Sequence, residues 1–169
     1  MYRTTLIFAI LSMSLHVAYA EDSIAKLPPG AVPYEKEVLL AGLSPSSPMK
    51  ETGYKFVEKN GVTILVGPWR QSLSTGDIVM SGFYDNDGKK TGTWKQYFPG
   101  GVLHSEMNYV ADILSGQILM YTPMGKLALI GYNVNGKLEG IVVKISPNGR
   151  VASAERFKEG VVVEKLSEP

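Results

Sequence analysis

The one contiguous run with the side chains of a hydrolytic site is His104-Ser105-Glu106. A histidine can serve as general base to a serine nucleophile, provided the two lie within hydrogen-bond reach of each other. On a β-strand that condition fails, because adjacent residues point to opposite faces. The plainer reading, an exposed polar histidine on a strand, is preferred. A second run, Asp85-Asn86-Asp87-Gly88, has the spacing that opens a calcium loop. The acidic residue that must close such a loop is missing, since Thr91 to Lys95 contain no carboxylate, so the run reads as a turn. No glycine-rich phosphate loop opens a helix, and no His/Asp spacing suits a metal. The expectation is a protein without catalytic, cofactor or metal residues.

What remains is aromatic. Trp69, Tyr84, Trp94, Tyr97, Tyr109, Tyr121 and Tyr132 recur through the chain and are the candidate binding residues. Two readings apply to each ring. It can pack along a sheet and stabilise neighbouring strands through cross-strand contacts. It can also belong to a ladder of half-exposed rings forming a binding face, since aromatic side chains supply large contact area and are enriched at interface hot spots. Both can hold at once.

The elements that would position these rings follow from a fixed step. Gly92, Gly116 and Gly140 are 24 apart (116 − 92 = 140 − 116 = 24), as are Pro99, Pro123 and Pro147, and Gly101, Gly125 and Gly149. Trp94 maps onto Ile118 and Val142, Tyr97 onto Tyr121 and Ile145, Leu103 onto Leu127 and Val151. Gly88, Asp112, Gly136 and Gly160 keep the same step. A period of this size marks a repeat architecture. Two short strands and their turns fill each unit with nothing left for a helix, so the unit is a β-hairpin. The glycine closing each Pro-x-Gly supplies a positive φ, and Asn135-Gly136 is a strong hairpin signal. Earlier in the chain, Gly67, Gly76 and Tyr84 precede Gly92, Gly101 and Tyr109 by 25, one residue out of step, which predicts a bulge or altered turn in the first unit. Units therefore begin near 67, 92, 116 and 140. A hairpin over 54–66, turning at Asn60-Gly61, caps the array. Charged residues from Glu155 to Lys165 blunt its far edge.

The pattern Gly92-x-Trp94-x-x-Tyr97-x-Pro99-x-Gly101-x-Leu103 resembles the MORN-type repeat, and more closely the variant found in the YwqK-type antitoxin family. Gly116 to Tyr121, Asn135 to Gly140 and Asn148 to Val151 fit the same pattern. The resemblance covers roughly 67–163. Ile118 and Val142 depart from it at the tryptophan position, Ile145 at the tyrosine and Asp112 at a turn glycine. It implies an all-β fold: hairpins laid side by side in an elongated, twisted antiparallel sheet.

The 169 residues suffice for one domain with a sizeable core. A formal net charge of +1 gives no electrostatic reason to expect a nucleic-acid partner. The absence of cysteine removes disulfides, thiolate metal sites and a lipid-modified tether. Residues 1–20 read as an export signal: Arg3, an apolar run from Leu6 to Leu15, and Ala18-Tyr19-Ala20 with cleavage after Ala20. The apolar run is too short for a spanning helix, so no stable membrane anchor is expected. Cleavage would leave His104 as the one histidine. Residues 21–52, rich in Pro and Ser, read as an extended N-terminal arm that partly packs, with Val38-Leu39-Leu40 as its apolar cluster, and 53–169 as the repeat domain. Export and the antitoxin resemblance together imply a periplasmic or secreted immunity protein. Its expected partner is a protein, a toxic effector such as a lipase or phospholipase delivered by a secretion system. The rival expectation is an envelope scaffold or surface repeat protein binding lipid head groups or glycans.

Overall fold

The computed structural model describes residues 27–38 and 48–167. The expected export signal, its cleavage site and much of the arm, including Leu39 and Leu40, lie outside the described residues. Among the described residues every regular element is a strand: β1 Val32–Val38, β2 Met49–Val57, β3 Thr63–Leu73, β4 Ile78–Tyr84, β5 Lys90–Tyr97, β6 Leu103–Val110, β7 Ile113–Tyr121, β8 Leu127–Val134, β9 Lys137–Leu138, β10 Gly140–Ile145, β11 Val151–Lys158 and β12 Val161–Ser167. All twelve form one antiparallel sheet in chain order, with β9 and β10 sharing β8 as their neighbour. The sheet is not closed into a barrel. It is a stack of hairpins, all-β as the repeat predicts.

Two kinds of turn alternate along the stack. On one side, three-residue loops end in a glycine with positive φ, as at Gly101 (80°), Gly125 (74°) and Gly149 (84°), each donating its N–H back to the carbonyl three residues earlier. On the other side are two-residue turns in which both residues have positive φ: Ala111-Asp112, Asn135-Gly136 and Glu159-Gly160. Their handedness matches the twist of the flanking strands. The second residue of each donates to the strand end of the unit before, Asp112 to Lys90, Gly136 to Leu114 and Gly160 to Leu138. These bonds lock successive hairpins together at one edge of the stack.

Gly88 departs from this series. It closes a three-residue loop in which Asp85 and Lys89 pair, whereas Val110 and Ile113 enclose only two residues. That one extra loop residue is the source of the 25-residue first step. Asp85 Oδ1 accepts the N–H groups of Asp87 and Lys89, at 3.0 and 2.9 Å, and so organises the loop itself.

The glycines that mark the units are not at hairpin turns. Gly67, Gly92 and Gly116 lie inside strands and Gly140 opens one, all with positive φ, from 66° to 122°. Around each, one strand carries two more residues than its partner: Thr52 pairs with Arg70 and Tyr54 with Val66, leaving Gly53 opposite residues 67–69. Ser81 pairs with Lys95 and Phe83 with Thr91, leaving Gly82 opposite 92–94. These are bulges, which a residue with positive φ permits. Strand β3 consequently runs unbroken from the cap hairpin into the first unit. Ahead of the cap, β1 pairs along its whole length with β2, so the stretch read as an arm contributes the first edge strand. At the far edge, β12 carries Glu164 and Lys165 but also exposes Val161, Val162 and Val163.

Two cross-strand rows run across the stack. The first is Gly53, Trp69, Gly82, Trp94, Met107, Ile118, Gly131 and Val142. It contains four of the six apolar side chains buried among the described residues, Trp69, Trp94, Ile118 and Val142, so it is the core. The second is Thr52, Arg70, Ser81, Lys95, Glu106, Leu119, Ile130, Val143 and Ala154. From Trp69/Arg70 to Val142/Val143, each core residue has its chain neighbour in the second row, which therefore lies on the opposite, outer face.

Candidate binding surface

The core face is built by large side chains lying over small ones. The Trp94 ring crosses Gly82, where a Cβ would collide with it, and the Trp69 ring crosses Gly53, where a Cβ would stand 3.3 Å from Trp69 Cδ1. In the units where the tryptophan becomes Ile118 and Val142, the same column holds aliphatic side chains. The two tryptophans lie 5.4 Å apart between ring centroids. Tyr84 meets both edge-on, at 6.2 Å from Trp69 and 5.0 Å from Trp94, and Tyr109 meets Trp94 at 6.3 Å. Lys90 Nζ sits 4.5 Å from the Trp94 ring centre, covering the cluster with a cation–π contact. The indole of Trp69 donates to the Tyr34 hydroxyl at 2.9 Å, and that of Trp94 to the Phe83 carbonyl at 3.2 Å. Burial pushes the Tyr84 phenol up to about 12, with Tyr34, Glu51 and Asp112 adding to the rise. Tyr34 is raised for the same first reason.

Four of the seven candidate rings, Trp69, Tyr84, Trp94 and Tyr109, thus come together on the core face. Trp94 is 4% exposed and Trp69 8%. Tyr97 and Tyr121 are half-buried near the three-residue loops. Tyr97 lines a small cleft of about 130 Å³ with Met49, Leu73, Ile78 and Phe98. Tyr132 stands apart. It follows Gly131 of the core row, points to the outer face and is 51% exposed.

The hydrolytic run is split as strand alternation requires. Ser105 is fully buried on the core face and its hydroxyl donates to Gln96 Oε1 at 3.2 Å. His104 packs edge-on against Phe98 at 4.5 Å, and Glu106 pairs with Lys95 on the outer face at 3.4 Å. Among the described residues, no three His, Cys, Asp or Glu side chains come together in a group suited to a metal.

The outer face changes character along its row. From β2 to β6 it is polar, Thr52, Arg70, Ser81, Lys95 and Glu106, and an open groove of about 950 Å³ lies over β1 to β5. From β7 onward the row turns apolar, Leu119, Ile130 and Val143, beside exposed Tyr132 and 46% exposed Ile141. Among the described residues nothing covers this side. An antiparallel sheet with one solvated face normally alternates apolar-in and polar-out. The last units depart from that rule. Scanning for aromatic residues alone singles out Tyr132, but not Leu119, Ile130, Ile141 and Val143. The readable signal for these is the neighbouring-residue pairs Ile118-Leu119 and Val142-Val143, apolar on both faces at the repeat's core position. No protein-family model matches the chain, and no curated protein is significantly similar to it.

Proposed function

We propose that this is an exported, non-catalytic binding module of the MORN-repeat kind, and that it acts as a periplasmic immunity protein. On this reading it binds a toxic effector enzyme, a lipase or phospholipase, and covers the mouth of its active site. The observation that carries the reading is the apolar outer face of β7–β10, where Leu119, Ile130 and Val143 form a continuous row flanked by exposed Tyr132 and Ile141. A patch of this kind on a stiff sheet, rimmed by polar residues, is the signature of a protein-interaction site. Occlusion over a standard interface of about 1,600 Å² needs no reactive group, only complementarity. The tryptophan column then serves the platform and the outer face serves the partner.

The test is co-purification of the exported chain with the product of the neighbouring gene, followed by assay of that product's lipase activity with and without the chain. Capture and inhibition are expected, and the double substitution Tyr132→Ser, Ile141→Ser should abolish both while leaving the unfolding temperature nearly unchanged. Turnover of a substrate by the isolated chain, or capture unaffected by the double substitution, would refute it.

A further inference from the structure

We propose that the groove on the outer face of β1–β5 is a second, electrostatic half of the partner site, and that it takes an extended acidic segment of a protein, anchored on Arg70. The proposal rests on the protein-binding reading above and locates a part of the surface that reading does not use. The groove holds about 950 Å³ and is open along its length. Its floor is the row Thr52, Arg70, Ser81 and Lys95, each residue directly opposite the next on adjacent strands. Beside the floor lie the apolar side chains of Tyr54, Pro68 and Phe83, and at the β1 end the one carboxylate of the lining among the described residues, Glu35, which is neutralised by its ion pair with Lys50.

The charges point to an anion. Of the cations in this region, Lys50 is paired with Glu35 at 2.7 Å and Lys95 with Glu106 at 3.4 Å. Arg70 is exposed and has no carboxylate partner among the described residues. A guanidinium presents a planar fork that matches a carboxylate with two parallel hydrogen bonds. The hydroxyls of Thr52 and Ser81 flank it on either side and supply further donors. The Lys95–Glu106 pair is half-buried, with the Lys95 side chain the more open at 43%, and at 3.4 Å it is loose enough that Lys95 can turn to a second anion.

The extent of the groove selects a chain over a single head group: its lining spans β1 to β5, about 19 Å at the usual strand separation of about 4.8 Å. Arg70 and Lys95 lie two strands apart, about 10 Å between backbones at the usual strand separation of about 4.8 Å. Carboxylates two or three residues apart on an extended peptide match that separation at about 3.3 Å per residue, whereas one phosphate would draw both long side chains to a single point and leave the rest of the groove unfilled. The side chains of Tyr54 and Phe83 give the stem of such a peptide an apolar surface to lie against.

The experiment uses the full exported chain and a fluorescein-labelled deca-glutamate peptide, read by fluorescence polarisation at low salt. Saturable binding is expected, weakening with salt, and Arg70→Glu should raise Kd about tenfold or more. Lys126→Glu, a charge change in the β7–β8 loop, should leave Kd within about twofold, and circular dichroism should show both variants folded. Vesicles of phosphatidylglycerol and a deca-lysine peptide form the other arms. The proposal is overturned by absence of saturable peptide binding or by equal losses in the two variants. It is also overturned if vesicles bind through Arg70 and the peptide does not. A several-fold gain in peptide affinity on the double substitution Glu21→Gln, Asp22→Asn would assign the groove to the chain's own acidic stretch and would likewise overturn it. Failure of effector capture would leave a positive peptide result standing, and failure of the peptide would leave capture through Tyr132 and Ile141 standing.

Discussion

The indole of Trp94 lies flat across Gly82 on the neighbouring strand, so close that a Cβ at position 82 would stand 2.7 Å from Trp94 Cε3 and nearer still to the ring carbons beside it. Gly82 needs no positive φ, so what excludes a side chain there is the ring alone. Gly82→Ala should therefore destabilise the protein by about 1–3 kcal/mol, the range for overpacking. The equivalent Gly131→Ala places its Cβ 3.5 Å from Val142 Cγ2, an ordinary contact, and should cost well under half as much. Urea midpoints of the two variants check the difference.

Trp94 and Tyr132 should behave as opposites. Trp94 fills the core at 4% exposure, and Trp94→Ala should cost about 3–5 kcal/mol, enough to unfold much of the chain. Tyr132→Ser, on the outer face, should change stability by about 0.5 kcal/mol or less while lowering partner capture. Thermal unfolding and pull-down, measured on the same samples, separate the two.

The two-residue turn at Ala111-Asp112 carries strain that its counterpart at Asn135-Gly136 avoids. Ala111 is held at φ 50°, a conformation that asparagine tolerates better than alanine. Ala111→Asn should raise stability by roughly 0.5–1 kcal/mol. Asp112 has a further role, because its Oδ1 accepts the Lys90 N–H at 2.8 Å. Asp112→Ala should lose about 1–2 kcal/mol, and Asp112→Gly less, since relief at φ 70° offsets the lost bond. Chemical denaturation of the three variants provides the comparison.

Alkaline pH should loosen the tyrosine–tryptophan cluster. Well below pH 10 Tyr84 is neutral both folded and unfolded, so it contributes no pH dependence there. Between its ordinary value of 10.0 and the folded value of about 12, the unfolded chain ionises while the folded chain keeps its proton. The unfolded state then binds fewer protons, and stability falls as pH rises through that window. Tyr34 acts in the same direction. Denaturation midpoints should fall from pH 10 to 12, and Tyr84→Phe should flatten the slope.

Much of this architecture is legible residue by residue. The 24-residue step, the positive φ at Gly101, Gly125 and Gly149, and the turn at Asn135-Gly136 all appear in the sheet as read. They are local: a positive φ or a two-residue turn depends on a few adjacent residues, and a repeat shows itself by recurrence. Gly88 misled because its spacing fits the two-residue turns while its loop is one residue longer, a difference visible only in the pairing of Asp85 with Lys89. The strand at Val32–Val38 was hidden by Pro33 and by charged Glu35, Lys36 and Glu37, which suit an edge strand paired on one side only.

The sequence by itself determined the hairpins, their period and the repeat-related residues, such as Trp94, Ile118 and Val142, that fall in one column. Only the tertiary structure decided which face those columns turn to. Alternation says that Trp94 and Lys95 point opposite ways, but not which way is covered. That outcome depends on Gly53 and Gly82, which let the tryptophans lie down on the neighbouring strand and bury themselves within a single sheet. Glycine bulges then slip the pairing between successive strands, so a residue's partner across the sheet cannot be counted from its position in the chain. Four of the seven rings read as a binding ladder, Trp69, Tyr84, Trp94 and Tyr109, gather on the core face, while Tyr132 stands exposed on the other. The surface left open belongs to Arg70, Tyr132 and Ile141, distant residues that only the folded sheet sets on one side.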